Sequence, residues 1–151
     1  MPKVSVIITS YNKGKLLHEA INSVFNQQFE SIEIIVIDDC STDNVTRDEL
    51  RKINTEQIKL ILLEQNVGVC EARNIAIKQS KGDYLLLLDA DDYITVGYIE
   101  EAVKILDNSP EIKIVGCEVQ LFGAAKGKMN LPEPTIENFI ARNAMVVTSF
   151  F

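Results

Sequence analysis

The segment Asp89-Ala90-Asp91-Asp92 sets two carboxylates at i and i+2 with a third beside them, and Asp38-Asp39 adds an earlier pair. Carboxyl groups this close repel one another and rise in pKa unless a cation neutralises them. A divalent ion answers that need. No His or Cys stands among residues 89–92, so the ligands are hard oxygens that suit Mg²⁺ or Mn²⁺ better than Zn²⁺. Such ions commonly arrive with substrate phosphates. Thr9-Ser10-Tyr11-Asn12 and Arg73 complete the set: Tyr11 offers a ring face for stacking, and the Arg73 guanidinium suits a phosphate or a carboxylate. A carboxylate at Asp38-Asp39 suits a base N–H or a ribose hydroxyl. Plainer readings stay open beside these. Residues 89–92 also suit a helix cap, Asp38-Asp39 a solvated turn, Tyr11 a packing ring and Arg73 a partner for an acidic neighbour.

The elements that must position these groups follow one rhythm of apolar β-branched run, polar loop and helical spacing. Residues 3–9 read as a strand, and Leu16, Leu17, Ala20, Ile21, Val24 and Phe25 share one face of the next helix. A second strand over 32–37 leads into a capping cluster, Ser41, Thr42 and Asp43, and a helix carrying Val45, Leu50 and Ile53. Residues 58–63 form a third strand. A helix over about 69–79 follows the turn at 66–68, with Arg73 near its opening, and 84–88 form a fourth strand. A further helix carries Tyr98, Ile99, Ala102, Val103, Ile105 and Leu106; residues 112–122 then read as a fifth strand and 123–128 as a mobile hairpin or loop. Strand ends at Thr9, Asp38, Glu64 and Asp89 lie 29, 26 and 25 residues apart, the spacing of successive βα units in a mainly parallel, doubly wound sheet. Ligands bind such sheets beyond the carboxyl ends of the strands, and five carboxylates (Asp38, Asp39, Asp89, Asp91, Asp92) are expected on that rim.

Composition narrows the partners. The 151 residues are one domain's worth of chain, 46% hydrophobic and 25% charged, with no linker that divides them. Fifteen basic against 22 acidic side chains give −7, which disfavours nucleic acid. No apolar stretch approaches the roughly 18 residues of a membrane span, and none near the start is long enough for a secretory signal, so a cytoplasmic chain is expected. Cys40, Cys70 and Cys117 are odd in number and widely spaced, which reads as reduced thiols. No G-x-G-x-x-G follows the first strand, and P-loop and G-x-S-x-G motifs are absent. The one histidine, His18, sits mid-helix and is expected on the surface. Residues 136–144 have helical character, and the apolar run 145–151 resembles the start of a further buried element, as in a truncated polypeptide.

Residues 2–12, 34–39, 66–74 and 82–92 resemble, in order and spacing, the nucleotide-sugar-binding domain of glycosyltransferase family 2, of the GT-A fold. The resemblance implies a Rossmann-like, mainly parallel sheet flanked by helices. It also implies a single domain over 1–151, with a donor-binding part over about 2–120 and the incomplete start of an acceptor part over about 121–151. By position, Thr9, Tyr11 and Asp39, with Asp38 beside them, are implied to hold the nucleoside, often uridine, and Arg73 to lie near the diphosphate and base. The D-x-D motif becomes Asp89-Ala90-Asp91, which is implied to bind ribose and Mn²⁺ or Mg²⁺, with Asp92 a stand-in for either ligand.

The implied reaction is displacement of a nucleoside diphosphate by an acceptor hydroxyl, usually with inversion. The metal serves as Lewis acid and a separate carboxylate as general base. That base belongs to a later motif; Glu118, Glu133 and Glu137 follow the D-x-D without a matching context, so the base is unassigned and expected beyond the chain end. The implied donor is a nucleotide-sugar such as a UDP-sugar. The implied acceptor is a saccharide or lipid-linked acceptor in cell-surface polysaccharide synthesis, met at the inner face of the membrane. Two rival readings are a Mg²⁺-dependent phosphoryl-transfer or receiver domain and a nucleotide-sugar-binding module without turnover.

Overall fold

The computed structural model of the chain describes residues 1–135, 137–138 and 148–151. The element order is β1 (Val4–Ser10), α1 (Leu16–Phe25), β2 (Ile32–Asp38), α2 (Asn44–Leu50), β3 (Ile58–Leu62), α3 (Val69–Ile77), β4 (Tyr84–Asp89), α4 (Tyr98–Asn108), β5 (Val119–Leu121) and β6 (Gly127–Met129). The first four strands form a parallel sheet in the order β3-β2-β1-β4. The chain builds outward from β1 to β3 and then returns through α3 to the other side of β1. The topological switch point, where loops diverge and leave a crevice, therefore lies between β1 and β4.

Every residue of β1 is buried, as expected of a central strand covered on both faces. Val4, Val6 and Ile8 join Val36, Leu86 and Leu88 in a core with Leu17, Ala20, Ile21 and Val24 of α1 and Ile99, Ala102 and Val103 of α4. Ile7 faces the other way, with Ile35 and Ile37, onto Ala72 and Ala76 of α3. Those two alanines, one helical turn apart, carry the helix against the sheet. The helix stripes are narrower than the sequence suggests: Leu16, Phe25, Val45 and Ile105 are exposed, while Ile53 is buried just beyond the end of α2.

Residues 112–122 do not form one strand. Val115 makes an isolated antiparallel bridge to Phe150, and only Val119–Leu121 is regular, paired with β6 in a two-stranded hairpin whose turn includes residues 123–126. Phe150 is fully buried, and Phe151 exchanges both backbone hydrogen bonds with Leu85 at 3.0 Å, so the last residues continue the sheet antiparallel beyond β4. The expected helix over 136–144 lies outside the described residues apart from 137–138, as does the apolar run up to residue 147.

His18 is no free surface residue either. Its Nε2 lies 3.0 Å from Glu49 Oε2, tying α1 to α2. The Glu49 carboxyl is held below its ordinary value of 4.5, first by the hydrogen bond from Lys52 Nζ and then by the charges of Lys52, His18 and Lys15. A carboxylate with a lowered folded pKa adds stability above the unfolded pKa and loses it as pH falls through the folded value. Glu49→Gln should therefore lower the urea midpoint near neutral pH, and the gap to the parent should narrow as pH falls below the ordinary carboxylate value and Glu49 takes up its proton.

Gly82, just before β4, lies against the backbone of β1. A Cβ there would stand 2.5 Å from Ser5 N and 2.8 Å from Val4 C. Its N–H donates to Ser5 Oγ at 2.8 Å and Glu33 Oε1 at 3.2 Å, and Glu33 also accepts from Ser5 Oγ and Lys81 N. Gly82→Ala should cost about 1–3 kcal/mol in urea unfolding, because the obstacle is main chain that cannot rotate away.

Candidate functional site

The carboxyl ends of β1, β2 and β4 stand level because the strands pair in register, with Ser10 opposite Asp38 and Thr9 opposite Asp89. Thr9 Oγ1 donates to Asp89 Oδ1 at 3.0 Å, and Arg73 donates to the same oxygen at 2.6 Å from the second turn of α3. One Asp89 oxygen thus carries both of these donors. After β4 the chain turns, with Asp92 N donating to Asp89 O at 3.0 Å.

The β1–α1 loop is built against the loop that follows β2. Asn12 adopts φ +53°, a left-handed conformation Asn tolerates, and its Oδ1 accepts from Thr42 N at 2.8 Å and Asp43 N at 3.2 Å. Asn12 N donates to Ser41 Oγ, and Gly14 N to Thr46 Oγ1 at 2.7 Å. These bonds hold Tyr11 and Lys13 at the rim. Tyr11 is 43% exposed, so it is not a core residue.

The two acids after β2 have separate tasks. Asp38 is buried and accepts from Ser41 N at 2.8 Å and Ser41 Oγ at 2.6 Å, which shapes its own loop. Asp39 is also buried and accepts from Val67 N at 2.7 Å and Gly68 N at 2.9 Å, at the opening of α3. Gly68 is the N-cap of that helix at φ +87°, and its main-chain N–H groups stabilise the Asp39 charge. Asn66 Nδ2 donates to the Asp39 carbonyl at 3.1 Å and closes the turn.

A cavity of about 480 Å³ opens between these loops, lined by Thr9, Tyr11, Lys13, Asp39, Asn66, Asp89 and Asp91, with Gly68, Val69 and Ala72 as a wall of small and apolar groups. Of the residues singled out in the sequence, it brings together Thr9, Tyr11, Asp39, Asp89 and Asp91. Arg73 stands behind Asp89, and Asp38 is turned into its loop. Asp92 lines a second cavity of about 220 Å³. Asn12 was expected at the rim without a role of its own, and Lys13, Asn66 and Gly68 were not singled out; the available signals were the Lys-Gly pair after Asn12 and the Asn66–Gly68 turn.

Charge is balanced locally around the cavity. Lys13 Nζ lies 2.6 Å from Asp91 Oδ2, an ammonium on the carboxylate expected to bind a cation. Asp92 is exposed as a residue, yet partial burial of its carboxyl, followed by the negative charges of Asp89 and Asp91, pushes its pKa up from the ordinary value, against a hydrogen bond from Thr148 that lowers it. Among the described residues no group of three or more His, Cys, Asp or Glu side chains is gathered to hold a metal ion. Asp89 and Asp91 nevertheless offer hard oxygens on one cavity, a donor set that fits Mg²⁺ or Mn²⁺ sharing its coordination with ligand phosphates and water.

The family profile described as Glycosyl transferase family 2 matches residues 5–147. The chain belongs to this family. Among curated relatives, the poly(ribitol-phosphate) beta-N-acetylglucosaminyltransferase TarS of Staphylococcus aureus is 34% identical over 145 residues, covering 91% of this chain and 25% of the relative. Two solved structures share the GT-A architecture. One is S. aureus TarS 1-349 in complex with UDP-GlcNAc, with TM-score 0.72 at 30% identity over 87% of this chain and 37% of that one. The other is the mannosyltransferase PcManGT of Pyrobaculum calidifontis in complex with GDP-Man and Mn²⁺, with TM-score 0.68 at 28% identity over 80% and 36%. The chain thus spans less than half the length of these relatives. No helix among the described residues is long and apolar enough to cross a membrane.

The two rim acids should separate in a stability measurement. Asp39→Ala strips two main-chain donors of a buried charged acceptor and should cost about 2 kcal/mol or more in urea unfolding. Asp91→Ala removes a half-exposed rim carboxylate and should stay within about 0.5 kcal/mol of the parent.

Proposed function

We propose that this chain is the donor-binding part of a glycosyltransferase. It holds a nucleoside-diphosphate sugar, a UDP-sugar in the first instance, in the crevice between β1 and β4, and presents the anomeric carbon to an acceptor hydroxyl. The observation that carries the reading is the single 480 Å³ cavity lined together by Tyr11, Asp39, Asp89 and Asp91. In this reading Tyr11 stacks on the base, while Thr9 and the remaining acceptor capacity of Asp39 meet the nucleoside. Asp89, oriented by Thr9 and Arg73, and Asp91 hold a divalent ion with the diphosphate. Arg73 is a positioning residue that reaches the ligand through Asp89. When bound, the ion supplies charge neutralisation of the leaving diphosphate. Lys13, released from Asp91, is free to meet a phosphate oxygen. The donor-binding part covers about residues 2–120 and the acceptor part begins at about 121. The acceptor is a saccharide or lipid-linked chain in surface polysaccharide assembly, met in the cytoplasm at the inner membrane face, and transfer proceeds with inversion.

Support for the donor class comes from the UDP-GlcNAc complex of TarS, and support for a metal from the Mn²⁺ in the PcManGT complex. Because PcManGT is seen with GDP-Man, the nucleoside is the first thing to test. Calorimetric titration with UDP should show binding with Mn²⁺ that EDTA largely abolishes, with GDP weaker. Asp91→Ala should remove the metal-dependent part of the affinity. Retention of that part in the variant, or equal affinity for UDP and GDP, would contradict the respective assignment.

A further inference from the structure

The second cavity is lined among others by Asp92, Tyr93, Thr95, Gln120 and Phe122. At its edge the Tyr93 and Phe122 rings meet with centroids 4.8 Å apart and planes tilted by 51°. Both remain substantially exposed, at 47% and 43%. A single exposed apolar side chain is ordinary, but two touching aromatic rings at the mouth of a cavity form a patch that a packing role does not explain. Phe122 reaches Tyr93 from the end of β5, so the hairpin is what completes the pair.

We propose that the Tyr93–Phe122 ring pair is a docking platform for a neutral pyranose ring of the acceptor. This deepens the transferase reading and rests on it. A sugar ring is amphiphilic, with C–H groups on its faces and hydroxyls around its edge, and calls for a flat apolar wall bordered by a few polar groups. The rings supply the wall; Asp92, the exposed Thr95 and Gln120 supply the border. The Gln120 amide nitrogen is already bonded to Gly127 O at 2.9 Å, so the side chain offers its oxygen. Distance favours the acceptor over an unrelated ligand, because Tyr93 is two residues from Asp91 and two residues of chain span at most about 7 Å. The two cavities therefore have neighbouring residues of one segment in their walls, Asp91 in the first and Asp92 and Tyr93 in the second. Charge selects the kind of ring: the described lining holds the carboxylates of Asp92 and Glu118, the latter paired with Lys128 outside the lining, and no Lys, Arg or His of its own, which favours a neutral ring over a phosphate-bearing one.

Saturation-transfer difference NMR on the whole chain tests this, with methyl β-D-glucopyranoside and cellobiose as neutral probes and ribitol 5-phosphate as the charged one. UDP with Mn²⁺ is followed in parallel. The ring C–H protons of the neutral sugars should receive saturation. Tyr93→Ala and Phe122→Ala should each weaken sugar binding by about tenfold, the worth of one aromatic contact, with UDP affinity unchanged. Tyr93→Phe should keep the sugar signal, and Tyr93→Leu, which retains bulk without a ring face, should lose it. Equal sugar signals in the alanine variants would overturn the platform. So would absent sugar binding by the parent, a preference for ribitol 5-phosphate, or self-association in sedimentation that the same variants abolish. Ring-dependent sugar signals in a chain that fails to bind UDP would instead remove the donor reading and leave the saccharide site standing.

Discussion

β1 is hydrogen-bonded along both edges, to β2 and to β4, with all seven residues buried, and its register fixes the height at which each neighbouring strand ends. Thr9 stands beside Asp89, and Ser10 beside Asp38, because side chains in a parallel sheet advance in step. A slip of one residue would turn Val4, Val6 and Ile8 away from α1 and α4 and reverse the faces of the rim residues as well. The hydrophobic core and the acidic crevice are therefore consequences of one pairing.

That crevice concentrates like charge on a chain whose net charge is already −7. Each acid has its own answer. Asp38 is satisfied by Ser41, Asp39 by the Val67 and Gly68 N–H groups just before α3, Asp89 by Thr9 and Arg73, and Asp91 by Lys13. The Asp92 carboxyl is pushed upward by partial burial and by the charges of Asp89 and Asp91. The arrangement balances the rim's charge within the chain, with Lys13 and Asp91 forming its most exposed pair. Where a strand ends thus decides which acids build loops and which face the cavity.

The strands and helices that set this frame were legible because their apolar runs match the period of the element they form, as in residues 4–10 and in Leu17, Ala20, Ile21 and Val24. So were the members of the cavity, since Thr9, Asp39, Asp89 and Asp91 stand at strand ends in a recognisable order. What periodicity could not supply was anything decided by distant pairing. Residues 112–122 carry strand-forming side chains, but Val115 finds its partner in Phe150, and a local pattern cannot report that. His18 looks like a surface residue until α2 brings Glu49 to it. Neighbouring Asp38 and Asp39 are indistinguishable in sequence, and their separate roles come from which backbone N–H groups each one meets. Asn12 and Lys13 act through bonds across two loops, a relation with no sequence period at all.

Amide ¹H–¹⁵N correlation spectra recorded while UDP and Mg²⁺ are added test the central claim most directly, that one crevice between β1 and β4 receives the nucleotide. The account predicts shifts concentrated at Thr9, Tyr11, Lys13, Asp39, Gly68 and Asp91, with Leu62 on β3 and Ile105 on α4 nearly still. Shifts centred on the β3 edge or on the β5–β6 hairpin, with the crevice residues unmoved, would contradict it.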